Sequence, residues 1–229
     1  VDAGDVIDGG DGYDVISYAH LSEGQSIVVS SNHQNIEAYE GSAGNDTITG
    51  SNGDDIIGGG DGDDIISGGE GDDTLSGGDG FDTLSGSNCA DVIDLGTGTT
   101  SGGTGSDLIT GFEAIAAGNG NDTIIGDDSA NHLMGEGGDD RLIGGCGDDT
   151  LAGGAGADTF VFEADFVRDL VTDFTSGDDV IDLSRMPVTF SSLVITQNGS
   201  DAIVEVPDHG EITLAGVTAG DLEGGARCC

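Results

Sequence analysis

Aspartate residues recur at nine-residue intervals along much of this chain, each inside a glycine-rich turn. Written over nine positions, the repeat is GGxGxDxUx, where U is a large apolar residue and the aspartate takes position six. A carboxylate beside turn carbonyls offers hard oxygen ligands, which suit calcium and suit zinc or copper poorly. We therefore predict that the position-six aspartates bind calcium ions. They are Asp14, Asp46, Asp55, Asp64, Asp73, Asp82, Asp91, Asp107, Asp122, Asp140, Asp149 and Asp158, with Asn131 as the exception.

The net charge of the chain also calls for a bound cation. The 229 residues include 45 Asp or Glu against 4 Lys or Arg, so the formal charge is −41. Close packing of like charges opposes a compact state, and stacked carboxylates repel strongly unless a cation lies between them. Yet 35% of the residues are hydrophobic and recur in register, which favours an ordered chain over a disordered one.

Each nonamer divides into a turn and a short strand. Glycine-rich residues turn tightly, and the remaining three suffice for a brief strand with one side chain directed inward. Units run in frame over residues 41–94 and 117–161, and single copies lie at 9–17 and 102–110. Two units would form one coil of a flattened solenoid that buries the apolar position-eight residues. These are Ile16, Ile48, Ile57, Ile66, Leu75, Leu84, Ile93, Ile109, Ile124, Leu133, Leu142, Leu151 and Phe160.

A longer repeat contains the nonamers. Residues 35–49 match residues 111–125, which places Glu37 over Glu113 and Asp46 over Asp122. We therefore expect two nested modules, residues 1–86 with a connector at 18–40 and residues 87–161 with a connector at 95–116. Residues 26–30 read as a strand that continues the stack.

The GGxGxDxUx nonamer resembles that of the RTX (repeats-in-toxin) family. The resemblance implies an all-β fold, a parallel β-roll or β-solenoid, with calcium ions (Ca2+) between turns of units two apart. The ions would be held by the Asp side chains and turn carbonyls. In the first run the implied ligand columns are Asp46, Asp64 and Asp82, and Asp55, Asp73 and Asp91. In the second run they are Asp122, Asp140 and Asp158, with Asp149 beside Asn131.

The pattern changes after Phe160. Residues 162–229 are predicted to form a C-terminal region. Residues 159–186 resemble the segment that follows the last nonamers in serralysin-type metalloprotease C-terminal domains and alginate-epimerase R-modules, through Asp169, Val171, Asp173 and Phe174 and then a glycine–aspartate motif at residues 177–183. We expect a C-terminal β cap with strands within residues 192–197, 202–207 and 211–217. In that family the region is associated with type I secretion. Asp173 and Asp179 would either bind a further calcium ion or cap a turn.

Composition excludes some function classes. Binding to nucleic acid needs Lys and Arg against phosphate, and anionic membranes are disfavoured for the same reason. No apolar run is long enough for a membrane span, and no catalytic motif is present, so we expect a non-enzymatic chain. The four histidines are scattered, and the extra acids at position five are expected to face solvent.

Three functions remain open. The leading hypothesis is a calcium-binding module of a secreted, extracellular protein of bacterial type, which folds on calcium outside the cell and supports export by the type I secretion machinery. An adhesin or surface-layer spacer, with self-association, is the second. The non-catalytic tail of an extracellular protease, lipase or epimerase is the third. The sequence assigns no role to Cys89, Cys146, Cys228 and Cys229; Cys89 and Cys146 are expected at the edges of the roll.

Overall fold

The protein is described by a computed structural model that covers residues 7–29, 33–34, 36–103, 105–164 and 166–225. Nearly all of its secondary structure is β-strand arranged as a parallel β-solenoid, which confirms the predicted all-β fold. Within the described residues, the exceptions are helix α1 (Ala219–Gly225) and a 3-10 turn (Phe190–Ser192). Neither is long and apolar enough to span a bilayer.

The strands are short, as the nonamer predicts. Through residue 116 they are β1 (Ile7–Asp8), β2 (Val15–Ser17), β3 (Ser26–Val28), β4 (His33–Gln34), β5 (Ala38–Glu40), β6 (Thr47–Thr49), β7 (Ile56–Asp61), β8 (Ile65–Ser67), β9 (Thr74–Asp79), β10 (Thr83–Ser85), β11 (Val92–Asp94), β12 (Thr99–Ser101), β13 (Leu108–Thr110) and β14 (Ala114–Ala116). Beyond residue 116 they are β15 (Thr123–Ile125), β16 (His132–Met134), β17 (Arg141–Ile143), β18 (Thr150–Ala152), β19 (Thr159–Val161), β20 (Arg168–Val171), β21 (Val180–Asp182), β22 (Val194–Asn198), β23 (Asp201–Val206) and β24 (Gly210–Leu214).

The chain divides into two compact units. The first unit contains Val1–Ser87 and Gly98–Ala114, and the second contains Asn88–Thr97 and Ile115–Cys229. The three-part division predicted from the sequence, at residues 1–86, 87–161 and 162–229, stays a prediction. Cys228, Cys229 and most of the truncated repeat at the N-terminal end lie outside the described residues.

In the first unit, consecutive strands alternate between two sheets. One sheet has the order β3–β6–β8–β10, and the other has the order β2–β5–β7–β9–β13–β12. Neighbouring strands are parallel, except that β12 is antiparallel to β13. Strands β1 and β4 form a separate parallel pair. Residues 26–28 form a strand of the stack, as expected.

The second unit repeats this arrangement and ends in an antiparallel cap. One sheet has the order β11–β15–β17–β19–β21, all parallel. The other has the order β16–β18–β20–β24–β23–β22, in which the last three strands are antiparallel to one another. The three strands predicted for the C-terminal region are therefore confirmed.

The core is a ladder of position-eight side chains. Ile48 aligns with Ile66, which aligns with Leu84 on the next strand of the same sheet. Each is at most 3% exposed, whereas the flanking position-seven residues face outward because side chains alternate along a strand. Partners 18 residues apart confirm that two nonamers make one coil. Burial of the ladder fixes the register, so the position-six aspartate of each unit is brought beside its counterpart in the next coil.

Candidate metal centre

The position-six aspartates are buried, which is unusual for carboxylates. Asp46, Asp64, Asp82 and Asp140 are 0–2% exposed. Asp14 is half-buried, and all the other predicted metal-binding aspartates are buried. Burying an ionised carboxylate costs free energy unless hydrogen bonds or a cation compensate for it. The partners of each carboxylate oxygen therefore decide what these residues can do.

In most of the ladder one oxygen of the aspartate accepts a backbone hydrogen bond across coils. Asp46 N–H donates to Asp64 Oδ1 at 2.7 Å, and Asp64 N–H donates to Asp82 Oδ1 at 2.8 Å. The same bond joins Asp55 to Asp73 at 2.8 Å, Asp91 to Asp122 at 2.8 Å, Asp122 to Asp140 at 2.7 Å, Asn131 to Asp149 at 2.9 Å, and Asp140 to Asp158 at 2.9 Å. These bonds orient the carboxylates in columns along the edge of the roll.

The other oxygen is buried without a hydrogen-bond partner in much of the ladder. Among the described residues this holds for Oδ2 of Asp14, Asp64, Asp73, Asp82, Asp122, Asp140, Asp149 and Asp158. An unpaired buried polar atom costs about 1–3 kcal/mol, and more when it is charged. A row of such atoms at equivalent positions indicates a partner of positive charge.

Position-one glycines leave room around these oxygens. A Cβ on Gly59 would lie 2.1 Å from Asp64 Oδ2 and 2.5 Å from the carbonyl oxygen of Gly77 in the next coil. A Cβ on Gly135 would lie 2.3 Å from Asp140 Oδ2 and 2.6 Å from Gly153 O. Beside Gly59 and Gly135 an orphaned carboxylate oxygen therefore shares a space with a carbonyl oxygen, and a side chain at position one would fill that space.

This oxygen-lined space fits calcium. Calcium takes carboxylate and carbonyl oxygens in flexible geometry. In the described part of the chain, no group of three or more His, Cys, Asp or Glu side chains could hold a metal. The Asp–Gly pairs bring carboxylate and carbonyl oxygens together.

Burial raises the pKa of several ladder carboxyls. The pKa of Asp64, Asp73, Asp140 and Asp149 rises to about 6, and that of Asp169 rises to about 7. Loss of hydration is the largest cause, and repulsion from neighbouring carboxylates adds to it. Without a bound cation, these carboxyls therefore begin to bind protons near neutral pH.

The column that was predicted to contain Asp55, Asp73 and Asp91 is wrong at its last member. Asp73 N–H donates to Asp107 Oδ1 at 3.0 Å, and Asp91 belongs to the second unit. Position four explains the difference, because a Cβ on Gly105 would lie 1.8 Å from Gly71 O. If the unit of Asp91 stacked on that of Asp73, the Cβ of its position-four residue, Cys89, would clash with Gly71 O in the same way. The unit at residues 102–110 has glycine at position four and avoids the clash.

Four further carboxylates extend the columns. Asp82 N–H donates to Glu113 Oε2 at 2.9 Å, and Asp14 N–H donates to Glu37 Oε2 at 2.8 Å. Asp149 N–H and Asp158 N–H donate to Asp169 Oδ1 and Asp179 Oδ1 at 3.0 and 2.9 Å. The nonamer specifies aspartate at position six and so did not predict the glutamates as members of the ladder, although the longer repeat already placed Glu37 over Glu113.

Asp173 and Asp179 differ, although the sequence left the same two roles open for both. Asp173 accepts hydrogen bonds from Gly153 N–H and Gly154 N–H at 3.0 and 2.8 Å, so it caps the neighbouring turn. Asp179 also accepts a hydrogen bond from Thr175 N–H at 2.7 Å, but its bond to Asp158 N–H places it in the ladder.

The position-five acids form a second, exposed ladder. Asp72 N–H donates to Asp54 Oδ1 at 2.9 Å, and Ser106 N–H donates to Asp72 Oδ1 at 3.0 Å. Its direction is opposite to that of the buried ladder, because each side chain accepts from the following coil. These acids face solvent as expected, and they also satisfy backbone donors at the edge of the roll.

The structure also describes Cys89, Cys146 and His132. Cys89 is exposed, Cys146 is half-buried, and neither forms a disulfide with another described residue. His132 is exposed on β16.

Comparisons with known proteins identify the repeats. The family model described as the RTX calcium-binding nonapeptide repeat matches four copies, at residues 37–66, 67–100, 110–142 and 134–165, just over half of the 229 residues. The repeat of this family binds calcium and builds a non-catalytic structural module. No curated protein matches the chain.

Two solved structures are similar. The extracellular lipase LipA from Serratia marcescens matches at 22% identity and a TM-score of 0.31, over 84% of this chain and 43% of that one. The AlgE6R3 subunit of the Azotobacter vinelandii mannuronan C5-epimerase matches at 16% identity and a TM-score of 0.30, over 96% of this chain and 81% of that one. This chain thus spans less than half of the lipase.

Proposed function

The chain belongs to the RTX calcium-binding nonapeptide repeat family, and we propose on that basis that its carboxylate columns bind calcium between successive coils. The observation that carries the proposal is the row of buried Oδ2 atoms without hydrogen-bond partners, of which those of Asp64, Asp82 and Asp140 share a space with a glycine carbonyl. The position-six Oδ2 and the position-one carbonyl of the next coil would be ligands of each ion. The bond that Oδ1 accepts would keep the carboxylate oriented toward it.

Calcium binding would be coupled to folding. The ligands of one ion come from coils about two nonamers apart in sequence, so the unfolded chain has no preformed site. Each bound ion also adds two positive charges to a chain of net charge −41. A ligand that binds the folded state stabilises it by mass action. The calcium-free chain at neutral pH is therefore proposed to be largely unfolded.

This coupling suits a secreted, extracellular protein. Calcium is scarce in the cytosol, where the chain would remain extended and competent for the type I secretion machinery. It is abundant outside the cell, where the chain would fold. Membership in the family supports this localisation, and the acidic composition supplies the physical switch.

A calcium titration of a matched pair of variants tests the proposal. Asp64→Asn removes a buried ladder charge, whereas Asp61→Asn removes an exposed charge from the same nonamer. Far-UV circular dichroism of the wild type should show a cooperative gain of β-structure with calcium and not with magnesium, which demands stricter octahedral geometry. Asp64→Asn should need a roughly tenfold higher calcium concentration, as expected for the loss of one charged interaction.

The control should behave as the wild type does, because exposed substitutions usually change stability by no more than about 0.5 kcal/mol. A wild-type chain that is already folded after calcium removal, or that responds equally to magnesium, would refute the proposal. Equal midpoints for the two variants would show that the buried ladder is not where calcium acts.

A structural spacer is a second candidate, favoured by the repetition of the same coil architecture in two compact units. In that case calcium would also promote self-association of the folded chain. Sedimentation velocity at the calcium concentration that completes folding separates the two, since a switch module alone would remain monomeric.

A further inference from the structure

The column of Asp46, Asp64 and Asp82 continues in the first unit with a glutamate. Asp82 N–H donates to Glu113 Oε2 at 2.9 Å, and Ala114 N–H donates to Asp82 O at 2.9 Å. In the regular ladder Ile65 N–H donates to Asp46 O at the same distance, so Ala114 stands at position seven. Glu113 therefore occupies position six of a shortened unit that does not follow the nonamer.

The oxygen pair that frames the regular spaces is retained at this glutamate. Asp82 is 0% exposed, and its Oδ2 is buried without a hydrogen-bond partner. A Cβ on Gly77 would lie 2.5 Å from Asp82 Oδ2 and 1.9 Å from Gly111 O. The equivalent space at Gly59 is framed in the same way by an orphaned carboxylate oxygen and a glycine carbonyl. The shortened turn thus preserves both atoms although it lacks most of the glycine-rich loop.

We infer that Glu113 is a calcium ligand, and that one ion is held by its carboxylate, Asp82 Oδ2 and Gly111 O. The inference rests on the proposed function, and it extends the ladder to a residue type that the repeat does not contain. Carboxylate and carbonyl oxygens give this site the same preference for a hard divalent cation as the regular sites.

Glu37 repeats the arrangement. Asp14 N–H donates to Glu37 Oε2 at 2.8 Å, and Glu37 N–H and Ala38 N–H donate to Asp14 O at 3.0 and 3.3 Å. Asp14 Oδ2 is again buried without a partner. The glutamate ligand therefore recurs where each connector re-enters the roll.

A purely structural glutamate would serve only to accept the N–H of Asp82 or Asp14. Glutamine keeps an accepting oxygen of the same reach and removes the charge. Glu113→Gln therefore separates the two roles, because the hydrogen bond survives and the anionic ligand does not. Glu70→Gln is the matched control, since Glu70 is an exposed residue at position three of a regular nonamer.

Native mass spectrometry of the full chain, titrated with calcium alone, tests the inference by counting ions per chain. At the calcium concentration that gives the wild type its full count, Glu113→Gln should hold one ion fewer, and Glu37→Gln with Glu113→Gln two fewer. Glu70→Gln should hold the wild-type number. Circular dichroism in the same buffer should show that each variant is folded.

A wild-type ion count in Glu113→Gln throughout the titration would overturn the inference. Asp64→Asn, run in parallel, makes this failure distinct from failure of the proposed function. If Asp64→Asn loses an ion and Glu113→Gln does not, calcium binding stands and the glutamate is structural. If the wild type binds no calcium, both the proposed function and the inference fail.

Discussion

Asn131 places a neutral amide in a column otherwise built from carboxylates. Its N–H donates to Asp149 Oδ1 at 2.9 Å, so its backbone follows the ladder pattern. Its own Oδ1 accepts from Asp127 N–H in the same turn at 2.9 Å. Its Nδ2 is buried without a hydrogen-bond partner. Its Oδ1 lies beside Gly126, 2.4 Å from where a Cβ would be, as Asp64 Oδ2 does beside Gly59. The ion-facing oxygen is therefore kept but carries no full negative charge, which makes this rung the weakest candidate for a calcium site.

Asn131→Asp should strengthen the calcium-bound fold. The substitution replaces a buried unpaired donor by an anionic oxygen, so we expect a gain on the order of 1–3 kcal/mol in calcium. Without calcium the same change should destabilise the fold, because it adds a buried charge. Thermal unfolding in calcium measures the first effect, and the pH at which the calcium-free chain gains β-structure on acidification measures the second.

Asn121→Asp is the control for this substitution. Asn121 is exposed at position five, where Oδ1 accepts from Asp139 N–H at 3.0 Å, as Asp54 Oδ1 does from Asp72 N–H. It should change little both the melting temperature in calcium and the calcium-free acidification midpoint. If Asn131→Asp stabilised the fold under both conditions, or destabilised it under both, the assignment of this rung to an ion would be contradicted.

At the scale of the turn, the position-one glycine protects the space between carboxylate and carbonyl. Gly59→Ala would place a methyl group 2.1 Å from Asp64 Oδ2 and 2.5 Å from Gly77 O. Real Cβ atoms do not come so close to other atoms, so the carboxylate and the carbonyl must both shift. We expect a loss of about 1–3 kcal/mol, the usual cost of overpacking, together with weaker calcium binding.

Gly58→Ala is the neighbouring control, since a Cβ there meets no atom within 4 Å. It should be neutral, or stabilising by about 0.4–1 kcal/mol because alanine restricts the unfolded chain. Calcium titrations followed by circular dichroism compare the two variants. Equal calcium midpoints would show that the space beside Gly59 is not used by the ion.

The regular elements could be predicted from the sequence because two short periods determine them. Position eight repeats every nine residues, and pairing of strands 18 residues apart buries it, as Ile48 and Ile66 do. The strand partners of the connectors could not be predicted, because they depend on contacts between residues that are far apart in sequence. Whether residue 91 or residue 107 stacks on Asp73 is decided by the clearance around Gly71, which is visible only after the coils are assembled.

In the candidate site, the sequence predicted the regularly spaced aspartates and missed three carboxylates outside the nonamer frame. The aspartates were found because their spacing is regular, and the structure buries them as a connected ladder. Glu37, Glu113 and Asp169 were missed as ladder members because their units are shortened or lengthened, so they fall out of frame. The hydrogen bond from the preceding position-six N–H is what identifies them, and it has no sequence signature of its own.

At the scale of the whole molecule, positive charge is confined to the second unit. Arg141 pairs with Asp182 at 3.7 Å, Arg168 with Asp148 at 3.3 Å, and Arg185 with Glu163. All six residues lie in the second unit, and the first unit contains no Lys or Arg in its sequence. The first unit therefore has no Lys or Arg side chain of its own to neutralise its buried carboxylates, and protons and the calcium ions proposed above would take that role.

Protons should replace calcium in part, which gives the calcium-free fold a definite pH dependence. Ladder aspartates with a pKa of about 6 or 7 in the folded state have a pKa of about 3.9 when unfolded. Between these values the folded chain binds more protons than the unfolded chain, so its stability falls as pH rises through the window. The calcium-free chain should therefore gain β-structure on acidification from pH ~7.5 to pH ~5.

In calcium the direction is reversed, because protons compete for the same oxygens and the calcium midpoint should rise as pH falls through about 7 to 6. Circular dichroism on protein stripped of calcium by a chelating resin avoids soluble chelators, whose affinity also changes with pH. If the calcium-free chain were most structured at pH ~7.5, the ladder carboxyls would be buried in the ionised form without a cation. That outcome would contradict the argument that each buried carboxyl needs a proton or a cation.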